Sequence, residues 1–331
     1  MTRGARSEWR FWYELNKGTL LAAALFVGMF VIYASNHPAG FTPNVVQTAA
    51  NKATLLAFVA MAQSLVVITA GIDLSAGMVL VLCNCLASWL VVGTPLQTGL
   101  GVVAVLAAGL ACGALNGVII IFGRLQPIVT TIATSAIFFG LALLLRPTPG
   151  GSVNEALADF FTSKLLGIFP TSLAVLGATV LLVWVPFSRS IYGRTAYAAG
   201  SSENAAYMSG MPLKRAKLAA YALAGTLSAM GGLYLTFFSY TGEAAFASGN
   251  AYTLYSIAAV VLGGVSLAGG KGSAIGAVFG ALAFRTIGDL LFVFDLDPLW
   301  QPLFQGIVLM LAIGVGAMGL ARVRNRLDWF Q

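Results

Sequence analysis

An all-α, membrane-spanning fold is what this sequence predicts, and three observations predict it. Of its 331 residues 59% are hydrophobic and only 9% charged, with a mean hydropathy of +0.88. A water-facing surface draws on roughly 25% charged residues, so the chain cannot coat a soluble domain. Apolar stretches of the length a spanning helix needs, about 20 residues, recur along the whole chain. The basic residues are also sorted between alternate connections, as in multi-pass proteins.

Ten spans follow in order: 19–35, 53–70, 74–93, 99–122, 127–145, 168–187, 216–239, 252–267, 273–293 and 299–320. Short polar or Gly/Pro breaks separate them, at Asn36-His37-Pro38, Gly71-Ile72-Asp73, Gly123-Arg124-Leu125 and Asp295-Leu296-Asp297-Pro298. The first resembles a secretory signal, since basic residues precede an apolar run. Its length and the spans behind it favour an uncleaved anchor. The organisation expected is a cytoplasmic N-terminal segment 1–18, a transmembrane domain 19–320 and a cytoplasmic tail 321–331. Trp9, Trp12, Tyr13, Trp300 and Trp329 fall near span ends, as an interfacial belt does.

With the N-terminus inside, fourteen of the eighteen Lys and Arg lie in inner segments and three (Lys52, Arg146, Lys164) in outer ones. Both termini are therefore expected in the cytoplasm, and the net charge of +7 is a topology signal that requires no nucleic acid. One His and three Cys leave little for a metal site; Cys83, Cys85 and Cys112 sit in apolar runs, where Cys acts as a small hydrophobe.

Two features are not generic. The run Gly109-Leu-Ala-Cys-Gly-Ala-Leu-Asn-Gly117, with its Pro-containing break and following span, is echoed by Gly276-Ala-Val-Phe-Gly-Ala-Leu-Ala-Phe284, Asp297-Pro298 and the last span. Residues 53–145 thus match 216–320 in span order. The copies start at the second and seventh spans, an odd offset that makes the repeat inverted, as in many transporters. The second feature is the inner segment 188–217, far longer than a plain connection needs. Ser201 or Ser202 can cap a short helix there, Glu203 suits its first turn, and Gly210 and Pro212 stop it. Ala205, Ala206 and Ser209 would give that helix a small-residue docking face. Together with Arg194 and Gly210 these residues mark the segment as an expected docking surface for another protein.

The run Thr69-Ala-Gly-Ile-Asp-Leu-Ser-Ala-Gly77, the stretch from Tyr192 to Lys217, and Gly263-Gly-Val-Ser-Leu-Ala-Gly-Gly-Lys-Gly-Ser273 resemble the ribose/xylose/arabinose-type permeases of bacterial ATP-binding-cassette importers, over about 45–320. Branched-chain amino-acid permeases share the broader superfamily. The resemblance implies a bacterial inner-membrane location and a dimer with a second permease copy or related chain. It also implies a cytoplasmic ATP-binding subunit carrying ATP and Mg, and a periplasmic sugar-binding protein. Where such proteins often have an Asn-rich stretch in the ninth span, this chain has Arg285-Thr-Ile-Gly-Asp289.

The chain carries no phosphate-binding Gly-x4-Gly-Lys-Ser/Thr loop: Gly270-Lys271 is followed by Gly272, and the earlier Gly position holds Val265. It is expected to be no enzyme, with energy coming from a partner or an ion gradient. Asp73 stands where a helix is interrupted. It is a helix cap together with Ser75, a pathway group, or the carboxylate of an ion-coupled secondary transporter. Gln63, Asn84 and Asn116 line a hydrated route or bind helices together. Leu125, Gln126 and Pro127 at an inner turn form a candidate gate. Arg285 and Asp289, one turn apart, form a candidate intramembrane pair.

Overall fold

The computed structural model describes residues 3–308 and 310–311. Its backbone is helical from Arg3, so α1 (Arg3–Asn36) takes in most of the expected N-terminal segment 1–18. There follow α2 (Pro43–Ile68), α3 (Ala76–Leu90), α4 (Pro95–Phe122), α5 (Pro127–Leu145) and α6 (Glu155–Thr162). A two-residue hairpin, β1 (Lys164–Leu165) with β2 (Phe169–Pro170), leads into α7 (Thr171–Thr179), α8 (Val185–Arg189), α9 (Ile191–Ser201) and α10 (Glu203–Met208). The second half holds α11 (Leu213–Ser239), α12 (Phe246–Leu262), α13 (Ala274–Val293) and a helical stretch over 301–308 and 310–311. The tail 321–331 and the end of the tenth expected span lie outside the described residues.

Seven of the described helices are long and apolar enough to cross a membrane: α1 from Asn16, α2, α4, α5, the Thr171–Arg189 stretch, α11 and α13. The fold is a polytopic all-α membrane protein. Of the three remaining expected spans, the tenth is described only in part, and α3 and α12 have 15 and 17 residues. At 1.5 Å per residue they reach about 22 and 25 Å, short of the roughly 30 Å hydrocarbon layer. Each is preceded by a non-helical stretch, 69–75 or 240–245, and so is the second part of a broken helix.

Three spans depart most from the expectation. The second span begins at Pro43, ten residues before position 53: Thr42 caps it, accepting from the Val45 N–H, and Pro43 fits the first helical position. The polar residues that concealed this start, Gln47 and Asn51, both donate to the Thr162 carbonyl, at 2.6 and 2.7 Å. The eighth span runs 246–262 rather than 252–267, and the Gly-rich run after it is loop. The sixth is no continuous α-helix. Val180–Trp184 is a π-turn in which the Val185 N–H reaches the Val180 carbonyl, just before Pro186, which has no N–H to give.

The inverted repeat is visible in the packing. α2 and α11 cross at the centre, α11 lies along α4 as α2 lies along α13, and α11 meets α3 as α2 meets α12. The central pair is antiparallel: the Tyr221 hydroxyl sits by Gly71, while Gly231 sits by Leu55 and Val59. Left-handed residues end matching helices in both copies: Ala70 and Tyr240 after α2 and α11, and Arg124 and Asp295 after α4 and α13, with φ of 61, 58, 53 and 55°. α2 is apolar around its whole circumference because it is the core, and Phe58, Met61 and Leu65 are fully buried. α1 packs against α13 and leaves Leu21, Val27 and Val31 exposed, as a lipid-facing helix does.

Candidate functional site

The two broken helices meet at their N-termini. Gly77 of α3 lies against Gly249 of α12 so closely that a β-carbon on Gly77 would stand 1.9 Å from the Gly249 carbonyl oxygen. The Gly77 N–H, one of the donors an α-helix leaves open, donates to Thr253 Oγ1 at 3.1 Å.

The break before α3 is held by side chains. Asp73, 3% exposed, accepts from the Ser75 N–H and hydroxyl at 2.8 and 2.6 Å. Asn116 Nδ2 donates to Ser75 Oγ at 2.8 Å, and the Leu74 N–H donates to Thr131 Oγ1 at 3.0 Å. The Gln63 amide, oriented as its neighbours require, donates to the Asp73 carbonyl at 2.9 Å and accepts its N–H at 3.2 Å. Asn84 does the same service for the other break. It donates to Thr236 Oγ1 and the Thr241 carbonyl, and accepts from the Glu243 N–H at 2.9 Å. In a dry interior an unpaired backbone group is costly, and these five residues bond the freed backbone or one another. Nothing in the sequence singled out Thr131, Thr236 or Thr253 as their partners.

Contacts at the C-terminal end of α2, where the break before α3 begins, tie it to α9. Gly200 of α9 abuts the Ile68 carbonyl, which also accepts from the Gly270 N–H at 3.0 Å. Gly269 packs on Ala70, and Tyr197 of α9 donates its hydroxyl to the Gly272 carbonyl at 2.6 Å. Burial pushes the Tyr197 phenol up to about 12. The 263–273 run thus serves as a clasp. Gly264, Gly269, Gly270 and Gly272 all take positive φ there, which a side chain would oppose.

α10 stands on this end. Ser202, rather than Ser201, caps it, accepting from the Ala205 N–H at 3.4 Å. Glu203 binds Lys217 at 2.6 Å. The expected small-residue face needs correction: Ala205 and Ser209 are exposed, but Ala206 turns inward onto Ala199 and Leu213. A six-residue helix cannot put Ala205 and Ala206 on one face, and Tyr207 and Met208 stand outward, 74% and 80% exposed. Gly210 ends α10 at φ +70°, and the Arg194 guanidinium donates to the Arg189 carbonyl. Leu125 and Gln126 are exposed in the turn before Pro127 at the same end, where Lys214 lies over the Phe122 ring.

The Arg285–Asp289 pair does not form. Asp289 pairs instead with Lys52, 3.6 Å away, because α2 begins early enough to carry Lys52 into the bundle beside α13. Among the described residues no group of three or more His, Cys, Asp or Glu is placed to hold a metal ion.

Residues 45–313 match the family described as the branched-chain amino acid transport system permease component. The chain belongs to this family. It is similar to the ribose import permease protein RbsC of Bacillus subtilis (strain 168), 33% identical over 302 residues that cover 89% of this chain and 92% of the relative. It is also similar to the fructose import permease protein FrcC of Rhizobium meliloti, 30% identical over 79% of this chain and 74% of the relative. A third relative is the autoinducer 2 import system permease protein LsrC of Enterobacter sp. (strain 638), 31% identical over 89% and 85%. No solved structure matches the chain. As a family member it is a membrane-embedded permease component, multi-pass and built from apolar helices.

Proposed function

We propose that this permease carries a monosaccharide across the bacterial inner membrane, delivered by a periplasmic sugar-binding protein and driven by a cytoplasmic ATP-binding subunit. ATP and Mg act on that subunit, and a second permease copy or a related chain completes the pathway. The sugar reading follows the relatives, two of which are named for ribose and fructose import.

The observation that carries the mechanism is the contact of Gly200 and Tyr197 with the 263–273 clasp and the end of α2. A push on α9 and α10 has no flexible linker to dissipate in. It reaches the break that holds Asp73, and through Gly77 the break before α12 in the same chain. Alternating access requires two packings of such a bundle, and a motor bound at one end would bias the choice between them. The orientation rests on charge: Arg124, Arg189, Arg194, Lys214, Arg215, Lys217 and Lys271 lie in the segments at the α9–α10 end, which is therefore cytoplasmic, with both termini.

Uptake of labelled ribose into vesicles that contain the permease, its ATP-binding partner and the binding protein tests the reading. Uptake that follows ATP and ignores an imposed ion gradient supports it. Uptake driven by the gradient without ATP contradicts it.

A further inference from the structure

Away from the breaks, a cavity of about 130 Å³ lies between α2, α12, α13 and the helical stretch 301–308. Its floor is Leu56 and Phe284. Its polar wall is Lys52, Tyr252, Tyr255, Arg285 and Gln305. Every group on that wall can donate a hydrogen bond, and two are cations. Among the described residues, Arg285 makes no hydrogen bond and no ion pair, although a guanidinium offers five N–H donors. The Tyr252 and Tyr255 hydroxyls and the Gln305 amide make no hydrogen bond either. Gln305 is 3% exposed, and its buried oxygen has no partner.

A half-buried cation with unmet donors is costly in an apolar surround, so an acceptor belongs there. Among the described residues, the carboxylate paired here is Asp289, which faces Lys52 and leaves the pair of cations with one net positive charge. His37, whose ring meets Tyr33 edge-on and Phe292 at a tilt, also acts on Asp289 electrostatically.

We propose that this cavity binds a small oxyanion, the phosphate of an anionic lipid headgroup or of a soluble anion, with Arg285 as its principal ligand and Gln305, Tyr252 and Tyr255 completing its hydrogen bonds. Arg285 suits this role because its planar fork meets an oxyanion with two parallel bonds. The Gln305 amide presents its NH₂ on rotation, since its two ends are of nearly equal shape. The volume of about 130 Å³ exceeds what one water fills. The site does not depend on the transport reading.

The test uses the full chain in a neutral maltoside detergent, stripped of lipid, with inorganic phosphate as the first probe and phosphatidylglycerol as the second. The shift of the thermal unfolding midpoint is followed at constant ionic strength for wild type, Arg285→Gln, Arg285→Lys and Gln305→Leu. Stabilisation by phosphate that weakens roughly tenfold in Arg285→Gln, and less in Arg285→Lys, supports the site with a soluble anion as occupant. Stabilisation by phosphatidylglycerol alone, with the same order of variants, supports it with lipid as occupant. Equal response of wild type and variants to both probes, or no response, overturns it. Should Arg285→Gln fail to fold, Gln305→Leu reads the same comparison.

Discussion

Gly200 and Ile68 are in backbone contact: a β-carbon on Gly200 would stand 2.0 Å from the Ile68 carbonyl oxygen and 2.4 Å from the Gly270 nitrogen. α9 therefore bears directly on the end of α2. Gly200→Val must part these backbones, at a cost of about 1–3 kcal/mol. The unfolding midpoint should fall, and ATP-driven uptake should fall further than the amount of folded protein explains.

Asp73 holds the turn before α3 by accepting from the Ser75 N–H and hydroxyl, while Ser75, at the cap position, makes no side-chain cap bond. This role makes a different prediction from an ion-binding carboxylate. Asp73→Asn keeps an oxygen for the Ser75 N–H and should retain most uptake. Asp73→Ala leaves that donor and the Asn116–Ser75 pair unsupported, and should lose about 1–2 kcal/mol in denaturant unfolding. An ion-coupled carrier would be inactivated by both changes.

The seam between α4 and α11 predicts intolerance at Gly225, whose β-carbon would stand 2.1 Å from the Gly109 carbonyl. Helices without a hydrophobic drive to associate rely on such close approach. Gly225→Leu should abolish stable expression, whereas Gly140→Leu, on α5 with open space around it, should be near neutral in the same assay.

Tyr197 gives an alkaline signature. Its folded pKa, about 12, stands above the ordinary value of 10. The neutral phenol is thus the form the fold favours. Its contribution, of order 2 kcal/mol, is fully present below pH 10 and is lost as pH rises from 10 through 12. Tyr197→Phe should flatten stability over that window and lower it below pH 10, by loss of the bond to Gly272, as alkaline unfolding curves would show.

The fold class and the inverted repeat were legible because apolar length and span order survive in a single sequence. The glycines that suggested the repeat are a less direct guide. Gly109 and Gly113 of α4 seat against α11, whereas Gly276 and Gly280 of α13 seat against Gly263 and Ala259. The copies share helix order and left-handed ends, with different close contacts. The start of α2 was hidden because Gln47, Asn51 and Lys52 look like loop until Thr162 and Asp289 supply their partners. For the same reason i, i+4 spacing suggested an Arg285–Asp289 pair, since a cation on a helix distant in sequence leaves no trace in local spacing. Asp73 and Gln63 were found as residues, but their bonding to a broken backbone required the fold.

Glu203 is 58% exposed at its side chain and pairs with Lys217, so removing the pair should change stability by no more than about 0.5 kcal/mol. A charge reversal there disturbs docking without unfolding the permease, and one measurement uses that. The tagged permease, wild type and Glu203→Arg, is purified from its native membrane, and co-purifying chains are identified by sequence. The account predicts that a chain with a phosphate-binding Gly-x4-Gly-Lys-Ser/Thr loop accompanies the wild type and is lost, or greatly reduced, with the variant. Wild-type permease that is folded and free of any such chain, even after mild crosslinking, would contradict it.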